Sequence, residues 1–136
     1  MQVRVVGPDC AGLTSTEVRR LFRGHRLTPA RRQRLDASGR VTAACAGRVV
    51  GVAAYNLTDT ELRVHEFGVD ASSPCQVEAI ASTLLEALEI ACLAGGGRRL
   101  VILPRAAVSS TLLRARGFTT IAEGCAGSWY VKSFPS

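Results

Sequence analysis

An apolar segment that leads into a long amphipathic helix is the strongest constraint on the fold of this 136-residue chain. Glu61–Val69 has the composition of a strand, and residues 76–93 carry apolar side chains at helical spacing. A second apolar run, residues 100–103, is typical of a strand buried on both faces. A helix between two strands forms a right-handed crossover, so the two strands are predicted to be parallel. The free N–H groups and the dipole at the start of such a helix favour an anionic ligand.

The other segments predict the order of the remaining elements. After a short first strand, Thr14 and Glu17 have the spacing of a capping box, and Thr28 followed by proline is a second helix start. Residues 40–57 predict a β-hairpin, and two strands close the chain. The predicted order is β-α-α-β-β-β-α-β-α-β-β, an α/β fold whose mixed, mostly antiparallel sheet carries helices on both faces. We expect a single domain over residues 1–136.

The chain is rich in arginine and has a formal net charge of +6. Eight arginines fall between Arg19 and Arg40, either as the solvated faces of two helices or as a patch for an acidic partner. A nucleic-acid partner is not expected, because within this patch only Phe22 and His25 could stack on bases and no binding motif is visible. No apolar run reaches the ~20 residues that span a bilayer, and no signal peptide is visible. We therefore expect no membrane partner and a cytoplasmic location.

The five cysteines show no pairing pattern in the sequence. Their number is odd, and no two of them form a CxxC motif. We therefore interpret them as reduced, structural thiols and predict neither a disulfide framework nor a metal site. The five are Cys10, Cys45, Cys75, Cys92 and Cys125.

Residues 76–81, with the sequence Gln-Val-Glu-Ala-Ile-Ala, begin the first long helix, and a Gly-Phe pair follows the next helix. With this order of elements, the chain resembles the GNAT superfamily of N-acetyltransferases. The pyrophosphate-binding signature of that family is Gln or Arg, two residues, Gly, one residue, and then Gly or Ala. Gln76 and Ala81 match it, whereas Ala79 replaces a Gly and makes the motif degenerate. Leu113 stands where many members have a Tyr that protonates the departing thiolate.

The resemblance implies acetyl-CoA as the co-substrate and a set of residues that bind it. Backbone N–H groups at the end of the 61–69 strand would polarise the thioester carbonyl, and the start of the following helix would hold the pyrophosphate. Ser109 either caps its own helix or contacts the cofactor. The implied strand contacts are Phe67, Gly68 and Val69, and the implied helix contacts are Gln76, Val77, Glu78, Ala79, Ile80 and Ala81.

Two neighbouring residues, His65 and Glu66, are the candidates for a catalytic general base. Alternation along the strand places His65 on the same face as Phe67 and Val69, and a bulge near Gly68 would exchange the two assignments. Histidine titrates near neutral pH, which favours His65 as the base. Alternatively, His65 is a hydrogen-bonded strand residue and Glu66 a paired surface charge.

These observations lead to two functional hypotheses. The first is an acetyl-CoA-dependent N-acetyltransferase that transfers the acyl group directly to the amine of a small molecule or a protein. The second is a catalytically impaired module of the same fold that binds acyl-CoA or a protein partner in a regulatory role. Neither the acceptor nor the oligomeric state is readable from the sequence, and a homodimer is compatible with both hypotheses.

Overall fold

The computed structural model describes residues 1–23, 27–73, 75–104, 106, 108–124 and 127–135. Within these residues seven strands form one sheet in the order β1-β2-β3-β4-β5-β7-β6, and four helices accompany it. The order of elements and the fold class predicted from the sequence are confirmed. The elements are β1 Gln2–Val6, α1 Ser15–Leu21, α2 Pro29–Ala37, β2 Gly39–Cys45, β3 Arg48–Leu57, β4 Glu61–Val69, α3 Val77–Ala94, β5 Arg99–Ile102, α4 Ser110–Ala115, β6 Thr119–Gly124 and β7 Gly127–Ser133.

Side-chain caps fix where the first two helices begin, as the sequence predicts. At α1, the Thr14 N–H donates to Glu17 Oε1 (2.8 Å) and the Glu17 N–H donates to Thr14 Oγ1 (3.1 Å). At α2, Thr28 Oγ1 accepts from the backbone N–H of Arg31 (3.2 Å), and Pro29, which follows Thr28, occupies the first helical position. Local sequence signals therefore determine where α1 and α2 begin.

Two separate apolar clusters show that helices cover both faces of the sheet. The larger cluster packs α3 and α4 against one face, with Leu84, Leu88 and Leu100 fully buried. The smaller cluster packs α1 and α2 against the other face. It consists of Leu13, Leu21, Phe22, Leu35, Val52 and Ala54, with Val18, Leu27 and Val49 packed against it. Among the described helices, none combines the length and the hydropathy of a membrane span.

Strands β4 and β5 are parallel, as predicted, but they pair over only part of β4. The register runs from Glu61 opposite Arg99 to Val64 opposite Ile102. The N–H of Leu103 then donates to the carbonyl of Val64 (3.0 Å). Beyond this bond, β4 continues to Val69 without β5 beside it. The sheet therefore opens between the two strands.

A bulge interrupts the alternation of β4 next to this opening. Ala54 pairs with Glu66 and Tyr55 pairs with Val64, so His65 is an extra residue on β4. Val64 and Phe67 both pack in the α3-side cluster, whereas His65 and Glu66 contact α2 and its C-terminal cap. The predicted placement of His65 on the face of Phe67 is therefore wrong. The reason is a bulge at His65. From the sequence, a bulge was considered only near Gly68.

Asp70 directly follows β4, and its buried carboxylate connects three segments of the chain. It is 1% exposed and accepts hydrogen bonds from the Ser72 N–H (2.9 Å) and the Ser72 hydroxyl (2.6 Å). Arg20 Nε of α1 lies 3.1 Å from Oδ2, and Arg48 Nη2 of β3 lies 3.4 Å from the same oxygen. Burial alone would raise the pKa of Asp70, but the Ser72 hydrogen bonds and the two guanidinium groups together hold its pKa below the ordinary value.

Replacing Asp70 with Asn is expected to lower the free energy of unfolding by about 2–3 kcal/mol at pH 7, because charge-assisted hydrogen bonds are lost. The folded-state pKa is depressed. Ionised Asp70 therefore stabilises the fold above its unfolded pKa of about 3.9, and this contribution disappears as the pH falls through the folded-state pKa.

Urea unfolding of the wild type and of Asp70→Asn, each at pH 7 and at pH 3, measures the difference in their free energies of unfolding. This difference should be smaller at pH 3. Asp59→Asn is the matched control, because Asp59 is exposed in the turn before β4. Equal losses of stability at both pH values would contradict the assignment.

Candidate functional site

A cleft of about 440 Å³ lies where β4 and β5 diverge. Its walls come from four segments that are distant in the sequence, namely the end of β4, the start of α3, the start of α4 and the end of α1. Most of the wall is apolar, and the charged side chains among the described lining residues are Arg23 and Glu78. The lining residues are Leu21, Phe22, Arg23, Phe67, Gly68, Val69, Val77, Glu78, Ala81, Val108, Ser109 and Leu112.

The start of α3 presents unused backbone donors to this cleft. The Ile80 N–H to Gln76 carbonyl bond (3.0 Å) is the first bond of the helix ladder. The N–H groups of Val77, Glu78 and Ala79 precede it and have no acceptor in the helix. Gln76 is the N-cap and makes no side-chain capping bond. This end of α3 therefore retains the donors and the dipole that bind an anion.

Ala79 does not strain this helix start. It lies within α3, and among the described non-glycine residues only Ala46 has a positive φ. The glycine that Ala79 replaces in the family signature is therefore not needed here for backbone conformation. Any effect of Ala79 on a bound phosphate must come from its methyl group, which is exposed.

The structure brings together most of the residues predicted to bind a cofactor. Seven of them line the cleft, while Gln76 and Ala79 are exposed beside it at the start of α3. Ile80 is fully buried, so its side chain belongs to the core. Ser109 caps α4 by accepting from the Leu112 N–H (3.4 Å) and also lines the cleft. The seven are Phe67, Gly68, Val69, Val77, Glu78, Ala81 and Ser109.

The two candidate bases are buried beside the cleft and do not appear among its described lining residues. Glu66 is 2% exposed, and both of its oxygens accept from Arg31, at 2.8 Å from Nε and 2.6 Å from Nη2. The hydrogen bond with Glu66 raises the pKa of Arg31, although partial burial opposes this. Acting as a base, Glu66 would have to give up part of this bidentate ion pair.

His65 has a defined hydrogen-bonding partner in Ser38, which is also buried. The two side chains meet at Nε2 and Oγ, 3.0 Å apart. The Ser38 hydroxyl donates its one hydrogen to the carbonyl of Arg34 (2.6 Å), so it accepts from His65. Neutral His65 therefore carries its hydrogen on Nε2.

The described wall of the cleft contains no tyrosine. Leu113, at the position of the family's acid, is 1% exposed and lies in the core, whereas its half-buried neighbour Leu112 lines the cleft. Tyr130 lines a separate cavity of about 230 Å³ on the other side of α4. Tyr55 packs against the α3-side core, where burial raises the pKa of its hydroxyl.

The end of α1 is the part of the site that the sequence did not reveal. A Cβ atom on Gly68 would lie 2.9 Å from the Leu21 carbonyl oxygen and 2.9 Å from the ring of Phe22. Gly68 does not have a positive φ. It is therefore required because α1 packs closely against β4, and this packing brings Leu21, Phe22 and Arg23 to the cleft. A glycine inside a strand was the available signal, and the close approach that the structure shows is by α1.

Four of the eight arginines between Arg19 and Arg40 make polar contacts within the fold. Arg20 and Arg31 form the ion pairs described above, and Arg32 pairs with Asp36 (3.1 Å). Buried Arg40 donates to the carbonyls of residues 35, 36 and 38 at the end of α2. Because these arginines make contacts within the fold, they support neither interpretation of the segment, a pair of solvated helix faces or a patch for an acidic partner. Two residues of the predicted patch, His25 and Arg26, lie outside the described residues, as does Cys125.

The fold and the cleft together define a class of protein: an α/β domain in which a helix without a side-chain cap begins at a split between parallel strands. The sequence profile of the acetyltransferase (GNAT) family matches residues 7–120. The chain therefore belongs to the GNAT acetyltransferase family, in which acetyl-CoA is the co-substrate. At the level of sequence alone, no functionally curated protein matches the chain.

Solved structures of acetyltransferases share the fold at low sequence identity. The IAA acetyltransferase from Bacillus cereus ATCC 14579 has a TM-score of 0.73 at 12% identity over 98% of this chain and 99% of its own. Aminoglycoside 6'-acetyltransferase type Ii has a TM-score of 0.68 at 17% identity over 100% of this chain and 99% of its own.

The third structure is N-acetylglutamate synthase from Neisseria gonorrhoeae, complexed with coenzyme A and N-acetyl-glutamate. It has a TM-score of 0.70 at 14% identity, and all of this chain matches 36% of that protein. The present chain thus spans about a third of the length of that enzyme. At these identities the similarity establishes the fold.

Replacing Gly68 with Ala is expected to lower the free energy of unfolding by about 1–3 kcal/mol, because the new methyl group collides with a backbone carbonyl that cannot rotate away. Chemical denaturation measures the loss. Gly7→Ala is the control, because no atom lies within 4 Å of a Cβ at that position and its φ is not positive. Equal stability of Gly68→Ala and the wild type would show that α1 does not pack against β4 as described.

Proposed function

We propose that this chain is an acetyl-CoA-dependent N-acetyltransferase that transfers the acyl group directly to an amine, within a single domain formed by residues 1–136. The observation that carries the proposal is the position of the cleft, which joins the unpaired end of β4 to the uncapped start of α3. The acceptor is an amine of a small molecule or a protein, and two copies of the chain could act as a homodimer.

In the proposed complex, the pyrophosphate of acetyl-CoA lies at the start of α3. The N–H groups of Val77, Glu78 and Ala79 donate to it, and the helix dipole adds to the attraction. The apolar side chains of Val108 and Leu112 suit the pantetheine arm, which must run between two strands that have separated. Ser109 is close enough to the same wall to contact the cofactor in addition to capping α4.

The thioester carbonyl is proposed to lie against the backbone of β4 from Phe67 to Val69. This segment has lost β5 as a partner, so N–H groups on that edge can donate to a developing oxyanion. The amine nitrogen attacks the carbonyl carbon, the carbon–sulfur bond breaks, and CoA leaves as a thiolate. A thiol pKa of about 8.5 makes this leaving group tolerable without an acid.

A base must take the proton that the amine loses, and His65 remains our first candidate. Histidine titrates near neutral pH, whereas Glu66 must release part of its ion pair with Arg31. Both side chains lie at the bulge that adjoins the proposed carbonyl site, so a bound acceptor or one water could connect them with the amine. A pH–rate profile of His65→Ala against Glu66→Ala separates the two assignments.

Replacing Glu78 with Gln is expected to tighten acetyl-CoA binding roughly fivefold, or about 1 kcal/mol. Glu78 is exposed, lines the cleft and places a negative charge in the first turn of α3, where it repels the pyrophosphate. Isothermal titration calorimetry of both proteins at low salt measures the difference.

The control for this titration is Glu86→Gln, which makes the same charge change on an exposed position of the same helix. Eight residues of helix place it about 12 Å further along the axis, so it should change the affinity much less than Glu78→Gln does. Equal affinities for the wild type and Glu78→Gln, with acetyl-CoA bound, would place the pyrophosphate away from the start of α3.

A catalytically impaired module that binds acyl-CoA, or a protein partner in a regulatory role, is the second candidate. One observation favours it: the described wall of the cleft offers no acidic hydroxyl, and both candidate bases are engaged in buried contacts. A module that binds acyl-CoA and the enzyme make the same prediction for acetyl-CoA binding. They differ in whether an introduced acid increases turnover.

Replacing Leu112 with Tyr is expected to raise the turnover of amine acylation in an active enzyme, because a phenol in the cleft can protonate the leaving thiolate. Well-placed general acids contribute about 10²-fold or more, so even partial alignment should be measurable. Thiol release with a panel of amines provides the assay. A module should bind acetyl-CoA and remain inactive.

Leu113→Tyr is the matched control because it carries the same change one residue away, in the core. A buried hydroxyl without a partner costs about 1–3 kcal/mol, so this variant should lose stability and gain no turnover. A folded Leu112→Tyr protein that binds acetyl-CoA and acylates none of the amines would support the module over the enzyme.

A further inference from the structure

Two cysteines that are far apart in the sequence meet next to the start of α3. The Sγ atoms of Cys45 and Cys75 are 3.0 Å apart, although 30 positions separate the residues. Cys45 is the last residue of β2, and Cys75 directly precedes Gln76, the N-cap of α3. Both are half-buried free thiols that pack against the α3-side core. The sequence predicted reduced, structural thiols and gave no sign of this contact.

The geometry suits a reversible covalent bond between these sulfurs. A disulfide has a sulfur–sulfur distance of about 2.05 Å, so the two atoms must approach by only about 1 Å. The segment that carries Cys75 is already folded back, because its N–H donates to Ser73 Oγ (3.1 Å). Cys92, in contrast, is fully buried, and its thiol donates to the carbonyl of Arg99 (3.5 Å).

We propose that Cys45 and Cys75 form a redox modification site, a dithiol that a peroxide converts to a disulfide and a small thiol converts back. One thiolate attacks the peroxide oxygen and becomes a sulfenic acid, and one water leaves. The second sulfur then attacks the sulfenic sulfur, the sulfur–sulfur bond forms and a second water leaves. The two thiols lose two electrons in all, and one hydrogen peroxide gains them. Two molecules of a thiol reductant reverse the change by exchange.

The disulfide would tie the residue before α3 to the end of β2. Its consequence for binding rests on the proposed function, in which the first N–H groups of α3 hold the pyrophosphate. The sulfurs of Cys45 and Cys75 already lie close together in the described structure. The disulfide would therefore hold the start of α3 in its present position in the cleft wall. A pre-organised site loses less entropy on binding, and the oxidised form should therefore bind acetyl-CoA more tightly.

The first arm of the test needs no ligand. Full-length protein is treated with a slight excess of hydrogen peroxide, its free thiols are counted, and cross-linked peptides are identified by mass spectrometry. We expect the loss of two thiols, a Cys45–Cys75 cross-link, and a rise in Tm on the order of 10 °C that dithiothreitol reverses. Cys45→Ser and Cys75→Ser should each abolish the rise, whereas Cys10→Ser, at an exposed position, should preserve it.

Absence of that cross-link in the wild type, or a cross-link with an unchanged Tm, would overturn the proposal, and neither result depends on the folding of a variant. The second arm compares acetyl-CoA titrations of the oxidised and reduced forms, where we expect severalfold tighter binding after oxidation. Equal affinity in both forms would overturn the coupling to the cleft. A reversible cross-link with no acetyl-CoA binding in either form would support the dithiol site and contradict the proposed function instead.

Discussion

The end of the pairing between β4 and β5 is the constraint on which the rest of the site depends. Parallel strands share regular hydrogen bonds only as long as they lie side by side, and here the last bond joins Leu103 to Val64. Everything after it on β4 has a free edge. Because α3 must connect the two strands across the sheet, its first turn lies beside that edge. A helix start with free N–H groups and a strand edge without a partner are therefore produced by one topological feature.

The buried charges around the opening hold its walls in position. Asp70 connects α1, through Arg20, and the β2–β3 hairpin, through Arg48, to the loop that leads into α3. Glu66 performs a similar role for α2 through Arg31. Removing one partner of a buried pair leaves an uncompensated charge, so these pairs are costly to break even where their net contribution is small. The arginine-rich composition of the first two helices is thus partly explained by the sheet that they cover.

The sequence was sufficient to predict the order of elements, because their signals are local. The box of Thr14 and Glu17 begins α1, and the periodicity of residues 77–94 identifies α3. The parallel relation of β4 and β5 followed from a general rule about crossovers. The residues at the start of α3 and at the end of β4 could be identified for the same reason, since they are contiguous with predicted elements.

The parts of the site that escaped prediction depend on tertiary contacts. The bulge at His65 changes the face of that candidate base, and only the register against Ala54 and Tyr55 reveals it. The approach of α1 to Gly68 and the meeting of Cys45 with Cys75 join segments that no local pattern relates. Leu112 and Leu113 are adjacent and chemically identical, and packing alone decides which of them faces the cleft.

The most direct test of the account is a calorimetric titration of the wild-type protein with acetyl-CoA, repeated with free CoA and at increasing salt. We expect one saturable site that acetyl-CoA and CoA share, with an affinity that falls as salt screens the attraction between the start of α3 and the pyrophosphate. Absence of binding up to millimolar acetyl-CoA by folded protein would contradict it. So would binding that is independent of salt, because the anion site at α3 would then take no part.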